Sequence, residues 1–156
     1  MSWETGSARV QELIGAGELG QVPPDLELAR RMLEDGQRHL ATASAARSTG
    51  DLSGAYQLAY DALRKSAASL LEAQGLRPTS RGGHIAVQDA VIAQFGTSIR
   101  ALRSFSRLRR ARNSFEYPSV DTPGPSQDDV EDAIRVAREI NDAAGKILES
   151  GVLSPW

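Results

Sequence analysis

Four arginines crowd into six residues, Arg107, Arg109, Arg110 and Arg112, and Asn113, Glu116, Tyr117 and Pro118 follow closely. Clustered guanidinium groups suit phosphate, because each presents a planar fork of donors and keeps its charge near neutrality. Arg112 with Asn113 can be read as a phosphate-holding or RNA-cutting pair, or as the basic end of a bundle helix. A second cluster lies in the stretch RPTSRGGH, where Arg77, Arg81 and His84 flank a turn that opens a helix. Free N–H groups at such a helix start attract anions. The spacing fits neither a Walker A loop nor a dinucleotide fingerprint, and a plain turn with His84 in the first helical turn accounts for it as well.

Other chemistries find little support. There is no cysteine, and the two histidines, His39 and His84, lie far apart. No metal site or other cofactor is expected. No Ser-His-Asp order stands out. The carboxylates Asp128, Asp129, Glu131 and Asp132 gather at one helix start, where the helix dipole accommodates them. No apolar run is long enough to span a membrane, and the first residues do not read as a signal peptide, so a cytoplasmic location is expected.

The net charge of −2 hides an asymmetry. Residues 97–118 carry six Arg and one Glu, net +5, and residues 119–150 carry three basic and eight acidic side chains, net −5. The cationic segment can hold an anion from outside or pair with the chain's own acidic end. Only two of the 18 basic residues are Lys. Arginine count alone is therefore a weak argument for phosphate binding.

The elements that must position these residues read as helices throughout. The expectation is an all-α, up-down antiparallel bundle of four to five substantial helices in a single domain, residues 1–156, with its core at about 22–150 and with 1–20 and 151–156 peripheral. A short helix is expected near Ala8–Ile14. Pro24 suits a first helical turn, before a stripe of Leu26, Ala29, Leu33 and Leu40, with Gly36 inside at modest cost. Asp51 or Ser53 caps the next helix, whose inner face is small: Ala55, Ala59, Ala62 and Ser66. Ile85, Gln88, Ile92 and Phe95 are expected to share the inner face of the helix after it. Thr97 or Ser98 should cap a helix running to about Tyr117, where Pro118 stops it. Ser126 and Asp129 resemble a capping box for the last helix, which carries the stripe Val130, Ala133, Ile134, Ala137, Ile140, Ala144, Ile147 and Leu148.

At 100° per residue, Ala101, Phe105, Leu108 and Phe115 share one arc, and Arg112 falls inside it. Arg109 and Glu116 sit at its edge, while Arg103, Arg107 and Arg110 face water. An arginine on an apolar stripe needs partners. Glu116, four residues on, is the nearest, with Asp61 or a Tyr hydroxyl as further candidates.

A late helix carrying Arg-Asn, followed by an aromatic and a Pro, resembles the HEPN domains. The likeness extends through AYQLAYDALRKSAASLLEAQGLRPTSRGGHIAVQDAV, an Ala/Tyr-rich helix with an Arg-Lys pair, a Gly end and a Gly-Gly-His start, and covers about residues 25–150. The resemblance implies a four- or five-helix bundle that forms a homodimer and brings two Arg motifs together. It also implies RNA or nucleotide as ligand, metal-independent ribonuclease chemistry in toxin–antitoxin or defence systems, and a nucleotidyltransferase or antitoxin partner. Arg112 and Asn113 match the first two motif positions. The motif His falls near Glu116 or Tyr117, and here it is not His. A phenol, titrating ordinarily near ~10, is a poor base at neutrality, and a carboxylate held by a guanidinium is a weakened one. The resemblance therefore points to a degenerate ribonuclease with Arg112, Asn113, Glu116 and Tyr117 as its motif and Arg107, Arg109 and Arg110 as accessory nucleic-acid contacts. The alternative is a non-enzymatic protein-interaction module in which Arg112 is a structural ion-pair residue.

Overall fold

A computed structural model describes residues 3–156 of the chain. Six α-helices dominate it: α1 Ser7–Gly15, α2 Leu26–Ser48, α3 Leu52–Ala73, α4 Gly83–Phe95, α5 Phe105–Glu116 and α6 Gln127–Ser150. Two three-residue strands, β1 Leu19–Gln21 and β2 Leu76–Pro78, pair antiparallel, with Leu19 opposite Pro78 and Gln21 opposite Leu76. The architecture is an all-α helical bundle with one small ribbon. The ribbon was not expected, because three residues are too few to display the alternation that marks a strand.

Helix α3 is the axis of the bundle and packs against α2, α4, α5 and α6. Its small inner face allows this: Ala55, Ala59, Ala62 and Ser66 are all fully buried, so neighbouring backbones come close. Asp51 caps it, accepting from the Gly54 N–H at 2.9 Å. Gly75 follows its end at φ +73°, and a Cβ there would collide with the Val22 carbonyl oxygen. Helix α2 starts two residues later than its Pro suggests. Asp25 is the cap, accepting from the Leu28 N–H at 2.8 Å, and Pro24 precedes it. At α6 the capping box is complete: Ser126 Oγ accepts from the Asp129 N–H, and the Asp129 carboxylate accepts from the Ser126 N–H.

A polar stitch ties the three long helices together. Asn141 of α6 donates from Nδ2 to the Leu33 carbonyl of α2 at 3.0 Å and to Ser66 Oγ of α3 at 2.9 Å. Gly36 leaves the room for it: a Cβ at that position would lie 2.9 Å from Asn141 Nδ2 and 3.1 Å from Ser66 Oγ. The glycine inside α2 is thus a packing requirement. A second buried pair joins α3 to α4. Gln74 and Gln94 exchange side-chain amide hydrogen bonds of 2.6 and 3.0 Å.

Three expectations need correction. The first 20 residues, as far as they are described, are not peripheral: Val10, Leu13 and Leu19 are buried, α1 packs on α4, and Trp3 donates from Nε1 to the Gln94 carbonyl at 3.0 Å. Nor is the last segment detached, since the Trp156 N–H donates to the Gln74 carbonyl at 2.9 Å. Of the face expected for α4, Gln88 and Phe95 are buried and Ile92 packs on the core, but Ile85 is 51% exposed, and Ala86, Val87, Ala90, Val91 and Gln94 complete the buried side. Apolar residues surround this helix, so periodicity could not pick its face. Finally, the basic segment opens with a 3-10 turn at Arg100–Ser104, and α5 begins only at Phe105, without a side-chain cap at Thr97 or Ser98. No helix among the described residues is long and apolar enough to cross a membrane.

Candidate functional site

Helix α5 lays Phe105 and Leu108 into the core against α3, and Phe115 packs edge-on against the Tyr56 ring at 4.9 Å. The Tyr56 hydroxyl donates to the Leu108 carbonyl at 3.2 Å, fixing the two helices in register. Burial pushes the Tyr56 phenol far up, so it serves as a neutral strut. Arg112, one turn beyond Leu108, is carried by the same spacing to the edge of this contact. Its side chain is 21% exposed.

Arg112 is held from three directions. Nε donates to Gln57 Oε1 at 3.0 Å, Nη1 lies 3.1 Å from Glu116 Oε2, and the guanidinium carbon sits 5.5 Å from the centre of the Tyr60 ring. A longer contact of 3.4 Å reaches Asn113 Oδ1. Asp61 is not a partner; it faces Arg64 at 3.9 Å. Glu116 is 41% exposed, so the ion pair is open to water on one side. A cavity of about 370 Å³ opens beside it, lined by Ser53, Tyr56, Gln57, Arg112, Phe115 and Glu116 among others. Tyr117 is 78% exposed just past the end of α5.

The remaining arginines do not form a uniform track. Arg107 donates to Asp132 at 2.9 Å, so part of the basic segment pairs with the chain's own acidic helix. Burial alone would raise the Asp132 carboxyl, but hydrogen bonds from Arg107 and Arg135 outweigh it and hold the group below its usual range. Arg109 donates to Gln88 Oε1 at 3.0 Å. Arg110 is exposed, with no partner among the described residues.

The second cluster is divided. Arg77 grips Glu72 with two nitrogens, at distances down to 2.6 Å, and Arg81 donates to the Ala16 carbonyl at 3.1 Å. His84 turns to the first site instead. Its Nδ1 lies 3.4 Å from the Tyr60 hydroxyl, and the two rings are 6.1 Å apart. Tyr60 therefore touches both Arg112 and His84. Burial lowers the His84 pKa, and the charges of Arg64, Arg112 and Arg109 lower it further against Asp61, so the imidazole is neutral at pH 7. Burial likewise raises the Tyr60 phenol, with Arg112, Arg64 and Arg109 acting against it.

Three residues at this centre were not selected from the sequence: Gln57, Tyr60 and Gln88. A signal did exist. Gln57, Tyr60, Asp61 and Arg64 follow the i, i+3, i+4, i+7 pattern of one helical face, a polar line beside the small apolar face of Ala55, Ala59 and Ala62. Together the groups offer a guanidinium, a neutral imidazole and aromatic faces, which is chemistry for holding an anion that carries a planar body. Among the described residues no group of three or more His, Asp or Glu could hold a metal.

One family decides the classification: the sequence pattern of the HEPN domain matches residues 29–147. This chain belongs to the HEPN domain family. The match runs from α2 through nearly all of α6, so it spans both the bundle and the Arg112 motif, while α1 and β1 lie outside it. No curated protein and no solved structure matches the chain. HEPN membership accounts for the helical bundle.

Proposed function

We propose that this HEPN chain binds RNA or a nucleotide in the Arg112 groove, as a homodimer in which two such grooves face each other, and that it does so in a toxin–antitoxin or defence setting. The observation that carries this reading is the state of Arg112. It is anchored by Gln57 and Tyr60 yet borders an open cavity, and its one carboxylate partner, Glu116, is half in water. A phosphate oxygen can displace that carboxylate without unpacking the core. Asn113, exposed beside it, offers a further donor. Arg107, Arg109 and Arg110 supply a surrounding positive field, strongest at Arg110.

Binding outweighs cleavage in this reading. Metal-free cleavage needs a group near the 2′-hydroxyl that titrates close to neutrality. Glu116 is occupied by Arg112, and Tyr117 is a solvent-exposed phenol. His84 has suitable chemistry, but its contact is the Tyr60 hydroxyl.

A second reading has its own support, because an arginine with three partners within one protomer also fits a purely structural role in a protein-interaction module. Fluorescence anisotropy with single-stranded RNA separates the two. Under the first reading Arg112→Ala abolishes binding while the bundle stays folded, and wild-type affinity falls steeply as salt rises. Absence of RNA affinity in the wild type, with Arg112→Ala lowering only the melting temperature, would leave the structural reading.

A further inference from the structure

A second cavity, of about 430 Å³, opens where α2, α3, β2 and α4 meet, and it shares no lining residue with the Arg112 groove. Its size is that of small-molecule pockets, roughly 300–1,000 Å³. Leu28, Met32, Ala68, Leu76 and Val87 give it an aliphatic wall. The aliphatic side chains can follow the shape of a flexible chain, Met32 most of all.

Four polar residues also border it: Arg64, Glu72, Arg77 and His84. Two of them neutralise each other, since Arg77 and Glu72 form the bidentate pair described above. Arg64 has no such match. Its nearest carboxylate oxygen, on Asp61, is 3.9 Å away, and its Nε is sealed from solvent without a hydrogen-bond partner among the described residues. The Arg64 side chain as a whole is 29% exposed and lines the cavity, so the guanidinium can meet an acceptor brought in by a ligand. His84 adds a second polar group: its Nδ1 lies 3.4 Å from the Tyr60 hydroxyl, and its Nε2 bonds to nothing among the described residues.

One loosely paired cation, one imidazole and an aliphatic cup match a single type of guest. We propose that this cavity binds a small amphipathic monocarboxylate, its carboxylate on Arg64 and its aliphatic chain against Leu28, Met32 and Val87. The site goes beyond RNA binding and does not depend on it. A dianionic phosphate head would lack a second cation, because Arg77 is already taken.

The test is a titration of the full chain with sodium octanoate, octanol and inorganic phosphate, followed by amide chemical shifts. Octanoate should saturate one site, with shifts at Ala68, Leu76 and Val87. Octanol, lacking the charge, should bind at least about tenfold more weakly, and phosphate should not bind there. Arg64→Met keeps the stem and removes the charge, so octanoate should fall to the level of octanol. Ala68→Phe fills the cup and should remove both, which covers the case in which the Arg64 variant fails to fold. Equal affinity for octanol and octanoate, an unchanged octanoate affinity in either folded variant, or no binding at all overturns the proposal.

Discussion

Replacing Arg112 by Ala removes a hydrogen bond to Gln57, an ion pair to Glu116 and a cation–π contact to Tyr60. The ion pair is partly exposed and contributes about 0.3–0.5 kcal/mol, the cation–π contact about 0.5–1, and the hydrogen bond about 1. A loss near ~2 kcal/mol is expected, small enough to leave the bundle folded, and a thermal melt checks it. Residue-level chemistry also predicts a pH effect. The folded His84 pKa lies below its ordinary ~6.5, so the unfolded chain binds the proton more readily. The contribution of a neutral His84 is complete above that value and is lost as pH falls toward and through the folded pKa. Between pH 8 and 5 the wild type should therefore lose more melting temperature than His84→Gln. Equal slopes would show that His84 titrates as in water. The position of Arg112 on the apolar side could be read from the sequence, because Phe105, Leu108 and Phe115 surround it at helical spacing. Its partners Gln57 and Tyr60 could not, since they come from a helix more than fifty residues earlier and no local rule ties the two together.

At the scale of elements, legibility followed amphipathicity. The α6 stripe stands against a strongly polar opposite face, and every residue named for it is buried or packed on the core. Helix α4 has no polar face to contrast with, so its orientation depended on what α1 and α3 offered it. The 3-10 turn at Arg100–Ser104 advances about 120° per residue instead of 100°, which makes angular bookkeeping from Ser98 unsafe. Gly36 gives the sharpest element-level test. In an exposed helix Gly→Ala stabilises by about 1 kcal/mol. Here the added methyl meets Asn141 and Ser66, so Gly36→Ala should destabilise by roughly 1–3 kcal/mol, as overpacking does. Denaturant unfolding decides the sign. Ser126→Ala removes the acceptor for the Asp129 N–H and should cost about 1 kcal/mol.

For the whole molecule, the N-terminal segment completes the bundle. Leu13 of α1 is buried within the shared core, and Leu13→Ala should lower stability by about 2–5 kcal/mol, the range for emptying a packed leucine site. A far smaller loss would mean that α1 folds onto the rest only loosely. A nine-residue helix flanked by glycines gives a weak signal by itself, and its burial is decided by α4 and β1. Charge is also settled at this scale. Arg107 and Arg135 converge on Asp132, and Arg47 lies 3.6 Å from Glu131, so α6 absorbs part of the cationic excess. Overall charge asymmetry was legible; which arginines stay unspent was not.

The reciprocal amide clasp between Gln74 and Gln94 constrains how the sequence can drift. Losing either glutamine strands two polar groups of the other in a dry interior, whereas losing both strands none. Single replacements by Leu should be harmful and the double replacement much milder than their sum. The two positions are therefore epistatically locked: relatives that abandon one glutamine are expected to have abandoned the other.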